Sequence, residues 1–275
     1  MRGSRAAVLA AVVTALIAQG GGLRMGRLRV PQYRLRGESA LLACDYDLGD
    51  DAVYSVKWYK DDEEFYRYVP RSTPPKSSYP VPGVRVDHVL SDDKTVALRS
   101  VNLQSSGLYR CEVSAEAPSF ASAQKEARME VVYLPKEGPH ISGDQEYQPG
   151  DEVSLNCTSG RSHPASVLHW YIDDKQVERQ DWLVPLPEAA HAHGLVSSAL
   201  GLRFRPAAAR GAPVALRARC VASVFPGPRP IPGARPLRDY SREVLLLARA
   251  AGCSRRDSCG AGVVLAASLL ALGAA

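Results

Sequence analysis

Two cysteine pairs frame this chain, and a tryptophan stands at nearly the same place inside each frame. Cys44 and Cys111 lie 67 residues apart with Trp58 14 residues past the first of them, and Cys157 and Cys220 lie 63 apart with Trp170 13 past the first. Few folds accept that arrangement. A disulfide across so long a loop joins segments distant in sequence, and an indole placed shortly after the first cysteine packs against the bridge from the facing sheet of a β-sandwich. Zinc-binding cysteines come in close pairs or with suitably spaced histidines, and these four have neither. Two frames in 275 residues also match a chain of roughly two domains of about 100–150 residues each.

Alternation along the chain agrees with the frames. Ala40, Leu42 and Cys44 share one side of an extended run, as do Val56 with Trp58 and Val96 with Leu98. Tyr109 stands two residues before Cys111, where a tyrosine hydroxyl reaches back to the corner that enters its strand. In the second frame Val153, Leu155 and Cys157 alternate, then Leu168, Trp170 and Ile172, then Val214, Leu216, Ala218 and Cys220, with Ala218 where the corner tyrosine would be. The predicted fold class is all-β, two tandem immunoglobulin-like β-sandwich domains. Room for edge strands around Phe65 to Val69 makes the first variable-type. The second reads as constant-like, with Pro226, Pro228, Pro230, Pro232 and Pro236 stiffening the loop after its second cysteine. Leu134-Pro135-Lys136-Glu137-Gly138-Pro139 is a short joint made rigid by its prolines, so the expected domains are 25–134 and 139–248.

Both ends read as addresses. Arg2 and Arg5 precede the small and aliphatic run Ala6 to Ala18, and Ala18-Gln19-Gly20 offers a cleavage site, which makes 1–20 a signal peptide. The run would cover only about 20 Å as a helix, against about 30 Å of hydrocarbon, which disfavours a retained anchor. At the other end Ala251-Gly252-Cys253, a polar spacer through Ser258 and the uncharged stretch Gly260 to Ala275 follow the order of a glycosylphosphatidylinositol attachment signal over 251–275. The expected lipid attachment residue is Gly252, placing the protein on the extracellular face of the plasma membrane without a cytoplasmic tail. Cys253 and Cys259 would leave with the tail. A plain hydrophobic end and a secreted product are the alternatives.

The net charge of +5 is spread, and residues 25 to 250 are nearly neutral with acids interleaved among bases. That distribution lacks the one-sided basic field of nucleic-acid binding. His191-Ala192-His193 has no third ligand at a metal-binding spacing, and the acidic runs Asp45, Asp47, Asp50, Asp51 and Asp61, Asp62, Glu63, Glu64 lack a calcium-loop pattern, so they read as solvated turns. Asp257-Ser258-Cys259-Gly260 falls in the attachment signal. No catalytic residue, metal, cofactor or small-molecule substrate is expected. Asn156-Cys157-Thr158 is a glycosylation sequon whose Asn156 faces outward because Cys157 faces inward.

The same parity argument selects a partner-binding surface. Trp58 faces in, so Lys57 and Tyr59 face out; Tyr109, Cys111 and Val113 face in, so Arg110 and Glu112 face out. Phe65, Tyr66, Arg67 and Tyr68 lie on the adjacent edge strand, and Phe120 tips the loop after the Cys111 strand. Exposed aromatics and arginines among paired charges are what protein interfaces use as anchors.

Cys44-Asp45-Tyr46-Asp47-Leu48-Gly49, Ser55-Val56-Lys57-Trp58-Tyr59-Lys60, Glu64-Phe65-Tyr66-Arg67-Tyr68, Leu103-Gln104-Ser105-Ser106-Gly107, Tyr109-Arg110-Cys111-Glu112-Val113-Ser114 and Glu116-Ala117-Pro118-Ser119-Phe120 resemble the beaten path (Beat) family of arthropod neuronal surface proteins. Asn156-Cys157-Thr158-Ser159-Gly160-Arg161-Ser162 and His169-Trp170-Tyr171 resemble that family's second domain, and the similarity spans roughly 27–225. The resemblance implies binding of a Sidestep-type immunoglobulin receptor in trans through the first domain, in axon guidance and synaptic partner choice. It also implies a second domain without the corner tyrosine. The other expectation carried forward is a secreted soluble immunoglobulin-domain factor, a decoy or an immune recognition protein.

Overall fold

The computed structural model describes residues 22–148, 150–206, 215–227 and 233–248. The expected signal peptide at 1–20, the attachment signal with Gly252, Cys253 and Cys259, and Pro228, Pro230 and Pro232 lie outside the described residues.

Ten strands build the first sandwich: β1 (Arg24–Arg29), β2 (Tyr33–Leu35), β3 (Ala40–Asp47), β4 (Val53–Lys60), β5 (Glu63–Tyr68), β6 (Lys76–Ser78), β7 (Val86–Asp87), β8 (Thr95–Leu98), β9 (Gly107–Ala115) and β10 (Ser122–Val132). One sheet has the order β1-β3-β8-β7 and the other β2-β10-β9-β4-β5-β6. The opening strand thus divides between sheets, its second part β2 running parallel to β10. Period-two burial is clearest on β9, where every second residue from Gly107 to Ala115 is buried, so the intervening side chains form one outward row.

Nine further strands build the second: β11 (His140–Gly143), β12 (Glu146–Tyr147), β13 (Val153–Thr158), β14 (Val167–Ile172), β15 (Lys175–Gln176), β16 (Leu183–Ala190), β17 (Val196–Phe204), β18 (Leu216–Val224) and β19 (Arg238–Ala248). Their sheets are β11-β13-β17-β16 and β12-β19-β18-β14-β15. The four-stranded sheet is the constant-type arrangement. The five-stranded one adds two-residue strands at both edges, β12 parallel to β19 and β15 beside β14.

Each sandwich closes over its own core. Leu42, Val56, Trp58, Val96, Leu98 and Met129 surround the Cys44–Cys111 bridge in the first, and Val153, Leu155, Trp170, Leu202 and Leu246 surround Cys157–Cys220 in the second. The Tyr109 hydroxyl donates to Ser105 O at 2.7 Å, forming the tyrosine corner. In the second sandwich Ala218 is fully buried at the equivalent place. The indoles differ as well: Trp170 Nε1 donates to Leu200 O at 3.1 Å, whereas Trp58 Nε1 is buried without a partner. Between the sandwiches Tyr133 and His163 exchange both backbone hydrogen bonds, at 2.8 and 3.0 Å. Gly160 lies where a Cβ would come within 2.7 Å of Glu137 O and 2.9 Å of Pro135 Cβ, so only a glycine lets the joint pack there.

Candidate functional site: the outer face of the six-stranded sheet

The register of β4 against its neighbours sets out two rows across the outward face. In one, Gln124, Glu112, Lys57 and Arg67 follow one another from β10 through β9 and β4 to β5; in the other the order is Glu126, Arg110, Tyr59 and Glu64. Contacts run within each row and between the two. Lys57 Nζ lies 3.5 Å from Glu112 Oε1, and the Arg67 guanidinium makes a two-pronged contact with Glu64, at 2.7 and 2.8 Å. Arg110 stacks over the Tyr59 ring, 4.6 Å from its centroid, and its Nη1 donates to Asp62 Oδ1 at 2.7 Å. Lys57, Tyr59, Arg67, Arg110 and Glu112 are all half-buried, positioned by their neighbours rather than free in water. Burial and, after it, Glu112 push the Tyr59 phenol up, and hydrogen bonding to Glu64 pushes the Arg67 guanidinium up. Both therefore keep one protonation state across the neutral range.

The adjacent edge strand departs from the expectation. The β4–β5 register slips between Trp58 and Tyr59, pairing Trp58 with Tyr66 but Tyr59 with Glu64. Phe65 is the extra residue of this bulge, so Phe65 and Tyr66 turn inward in succession. Both are fully buried. The Phe65 ring meets Tyr109 edge-on at 5.9 Å, and the Tyr66 hydroxyl donates to Asp92 O at 3.0 Å. Tyr68, opposite inward-facing Val56, packs on the same core. Phe65, Tyr66 and Tyr68 are thus core or core-edge residues, and Arg67 alone of the four reaches the outer face. The same bulge brings Glu64 and Arg67 onto one face, although they are an odd number of residues apart.

Phe120 stands 74% exposed at the tip of the loop after β9. The acidic runs are held in specific contacts. Asp45 pairs with Arg29, Asp47 accepts from Gly49 N–H, Asp51 accepts from Ser119 Oγ, and Asp61 and Asp62 both bind across the sheet. Asp61 Oδ1 takes the Leu108 N–H at 2.8 Å while its Oδ2 meets Lys60 Nζ at 2.6 Å. Its partial burial alone would raise the Asp61 carboxyl, but the bonds from Lys60 and Leu108 bring it below the ordinary carboxylate value. No group of three or more metal-capable side chains exists among the described residues. His191 instead meets Ser197 Oγ at 3.0 Å. Asn156 lies on the outer side of β13, opposite Gly201, half-buried and with its Oδ1 covered and unpartnered; Thr158 is exposed.

One motif went unread in the sequence although its signal was there. Trp58-Tyr59-Lys60-Asp61-Asp62 returns as Trp170-Tyr171-Ile172-Asp173-Asp174. Both Asp-Asp pairs take positive φ, 48° and 69° in the first and 47° and 64° in the second, as a two-residue hairpin turn matched to strand twist requires. Asp173 Oδ1 accepts the Arg217 N–H at 2.9 Å, Asp174 Oδ1 binds Arg219 at 2.9 Å, and Arg219 stacks over Tyr171 at 4.8 Å. The tyrosine, arginine and aspartate set of the first sandwich is therefore built twice.

Residues 34–132 match the immunoglobulin V-set domain family. Among solved structures, the crystal structure of murine CEACAM1b superposes with a TM-score of 0.54 at 13% identity, covering 81% of this chain and 100% of its own. The full ectodomain of mouse nectin-like molecule 4 gives 0.51 at 19% identity, covering 80% of this chain and 67% of its own. A chain from the mouse coronavirus receptor-binding domain complexed with its murine receptor gives 0.51 at 14% identity, covering 80% and 98%. At those identities the likeness is one of fold: the chain carries two tandem immunoglobulin-like sandwiches, and the first contains the V-set match.

Proposed function

We propose that this protein is a cell-surface recognition or adhesion protein that binds another immunoglobulin-family protein through the outer face of its first sandwich. The observation that carries the reading is the pair of ordered rows across β9, β4 and β5, in which Glu112, Lys57, Arg110, Tyr59, Arg67 and Glu64 are half-buried and held by one another before a partner arrives. Such preorganisation lowers the ordering cost of association. The anchors on that face are Lys57, Tyr59, Arg67, Arg110 and Glu112, with Phe120 at the adjoining tip. Nothing there resembles a nucleophile with a positioned base, so the proposal is recognition without catalysis.

The motifs that resemble the beaten path family supply the finer reading of the partner, a Sidestep-type receptor met in trans, and of the setting, axon guidance or synaptic partner choice; the order of residues 251–275 supplies the lipid at Gly252 that holds the protein at the membrane. Asn156 carries a glycan in this reading, with the unpartnered amide turning outward over Gly201. No helix among the described residues is long and apolar enough to cross a membrane.

The test is binding of a multimerised fragment, residues 21–250, to cells displaying immunoglobulin-family surface proteins, Sidestep-type receptors and this protein itself among them. Binding to a Sidestep-type receptor that is lost in Arg67→Asp is the expected result. A folded probe that binds nothing on the panel overturns it. Release of the full-length protein from cells by a phosphatidylinositol-specific phospholipase is expected of the anchored form; protein found free in the medium without that treatment identifies the secreted factor.

A further inference from the structure

Two aromatic side chains stand in water where β4 begins and the loop after β9 turns, and irregular backbone puts each of them there. The β4–β9 register slips between Val53 and Ser55, leaving Tyr54 as an extra residue, 57% exposed. Phe120 adopts φ +48°, a left-handed conformation that costs a bulky residue roughly 1–2 kcal/mol. Its loop is pinned at several points. Phe120 N–H donates to Glu116 O at 3.1 Å, Ala115 N–H to Ala121 O at 2.8 Å, Glu116 N–H to Ala52 O at 2.8 Å, and Ser119 Oγ to Asp51 Oδ2 at 2.7 Å. These bonds order the loop while its largest apolar side chain stands 74% exposed, outside the core.

Tyr54 and Phe120 flank a hollow of about 240 Å³, completed by Val69, Arg71, Glu116 and Ala117. That volume admits one large side chain. Arg71 Nη2 is paired with Glu116, whose side chain is 16% exposed, but the Arg71 side chain itself is 79% exposed. The hollow therefore offers aromatic and aliphatic walls and, at its edge, a cation with its outer side in solvent. Buried aromatic and arginine contacts of this kind dominate interface energetics.

We infer that this hollow is a socket for a single apolar side chain of a protein partner, and that a carboxylate beside that side chain on the partner engages the solvent side of Arg71. The partner's existence rests on the recognition reading above; the socket can be tested without it. The probe is 3-phenylpropionate, one ring and one carboxylate, titrated into isotopically labelled protein and followed by amide and methyl shifts. Saturable shifts are expected at Tyr54, Val69, Ala117 and Phe120, in the millimolar range for a ligand of that size. They should vanish in Phe120→Ala. In Arg71→Gln the preference for 3-phenylpropionate over the uncharged 3-phenylpropanamide should disappear, while the amide's own binding is kept. Shifts that do not saturate, or that persist unchanged in Phe120→Ala, overturn the socket.

The cell panel separates the two proposals. Where the wild-type probe finds a receptor, Phe120→Ala and Arg71→Glu should each weaken binding about tenfold or more; wild-type binding by both variants refutes the socket and leaves the recognition face standing. Saturation by 3-phenylpropionate together with a silent panel keeps the socket and removes the recognition reading. Thermal unfolding of each variant confirms that the exposed positions were changed without loss of fold.

Discussion

Replacing Tyr109 by phenylalanine removes one oxygen from the centre of the first sandwich and leaves everything else in place. The hydroxyl donates to Ser105 O at 2.7 Å, and both residues are fully buried. Losing the bond and leaving a buried carbonyl without that donor should together cost about 2 kcal/mol. A sandwich of this size loses roughly 4 °C in Tm per kcal/mol, so its unfolding should fall by about 8 °C. Because Ala218 occupies the matching place, the second sandwich has no such bond to lose and its transition should not move. Thermal scanning combined with amide hydrogen exchange reads the two sandwiches separately. Outward residues are untouched, so partner binding at temperatures where the sandwich stays folded should match wild type. A fall of less than about 2 °C, or an equal fall in both sandwiches, refutes the claim that this bond ties the corner to β9.

Other substitutions test the sheet's edge and face. Arg67→Asp and Tyr59→Ala should each weaken receptor binding by about 2 kcal/mol, read as cell-binding titrations, with the first sandwich's Tm falling by no more than about 4 °C. Lys60 Nζ meets the Asp61 carboxylate, whereas the equivalent residue of the second sandwich is Ile172; Lys60→Ile takes that partner away while Asp61 stays, and because Asp61 is half in solvent the expected cost in urea unfolding is about 1 kcal/mol or less. The Asp61 carboxyl is held below its ordinary value in the fold, so its contribution is complete above the ordinary carboxylate range and is lost as pH falls through the depressed value. Asp61→Asn should therefore flatten the acid limb of the first sandwich's stability profile; a limb as steep as wild type assigns the acid sensitivity elsewhere. Gly107→Ala should cost about 1 kcal/mol, since its Cβ would lie 2.5 Å from Asp61 Oδ2 and drive the carboxylate off the Leu108 N–H.

Parity along single strands made most of the sandwich readable. Cysteine spacing named the paired strands, and alternation placed Lys57, Tyr59, Arg110 and Glu112 outward, because β4 and β9 keep regular register through that stretch. What failed was parity across a bulge. Phe65 and Tyr66 have the same local composition whether a slip occurs or not, and only the packing of Phe65 on Tyr109 and the Tyr66 hydrogen bond to Asp92 O decide that both turn in. Tyr54 escaped notice for the same reason, since its exposure follows from a second slip in β4. The ion pairs were hidden differently: Arg71 and Glu116 are 45 residues apart, and no local pattern announces that they meet.

The doubled turn bears on what distinguishes the two sandwiches. If Arg110 over Tyr59, tied to Asp62, were sufficient for recognition, the second sandwich would present an equivalent surface through Arg219, Tyr171 and Asp174. The set is better understood as a sheet-stabilising device, with an aromatic stack and an exposed carboxylate together worth about 1 kcal/mol. The surroundings are not repeated. Where Lys57 faces Glu112 in the first, His169 faces Val221 in the second, and β15 is only two residues long, so no counterpart of the Glu64–Arg67 pair extends the face. In the proposed recognition reading, specificity is therefore assigned to the Lys57, Glu112, Arg67 and Glu64 group, with the Tyr59–Arg110 stack supporting it from within. Arg219→Ala and Arg110→Ala should accordingly cost their own sandwiches similar amounts of stability, while only Arg110→Ala reduces receptor binding. Unequal stability losses would show that the two turns are not the same device, and a binding loss in Arg219→Ala would move the recognition surface onto the second sandwich.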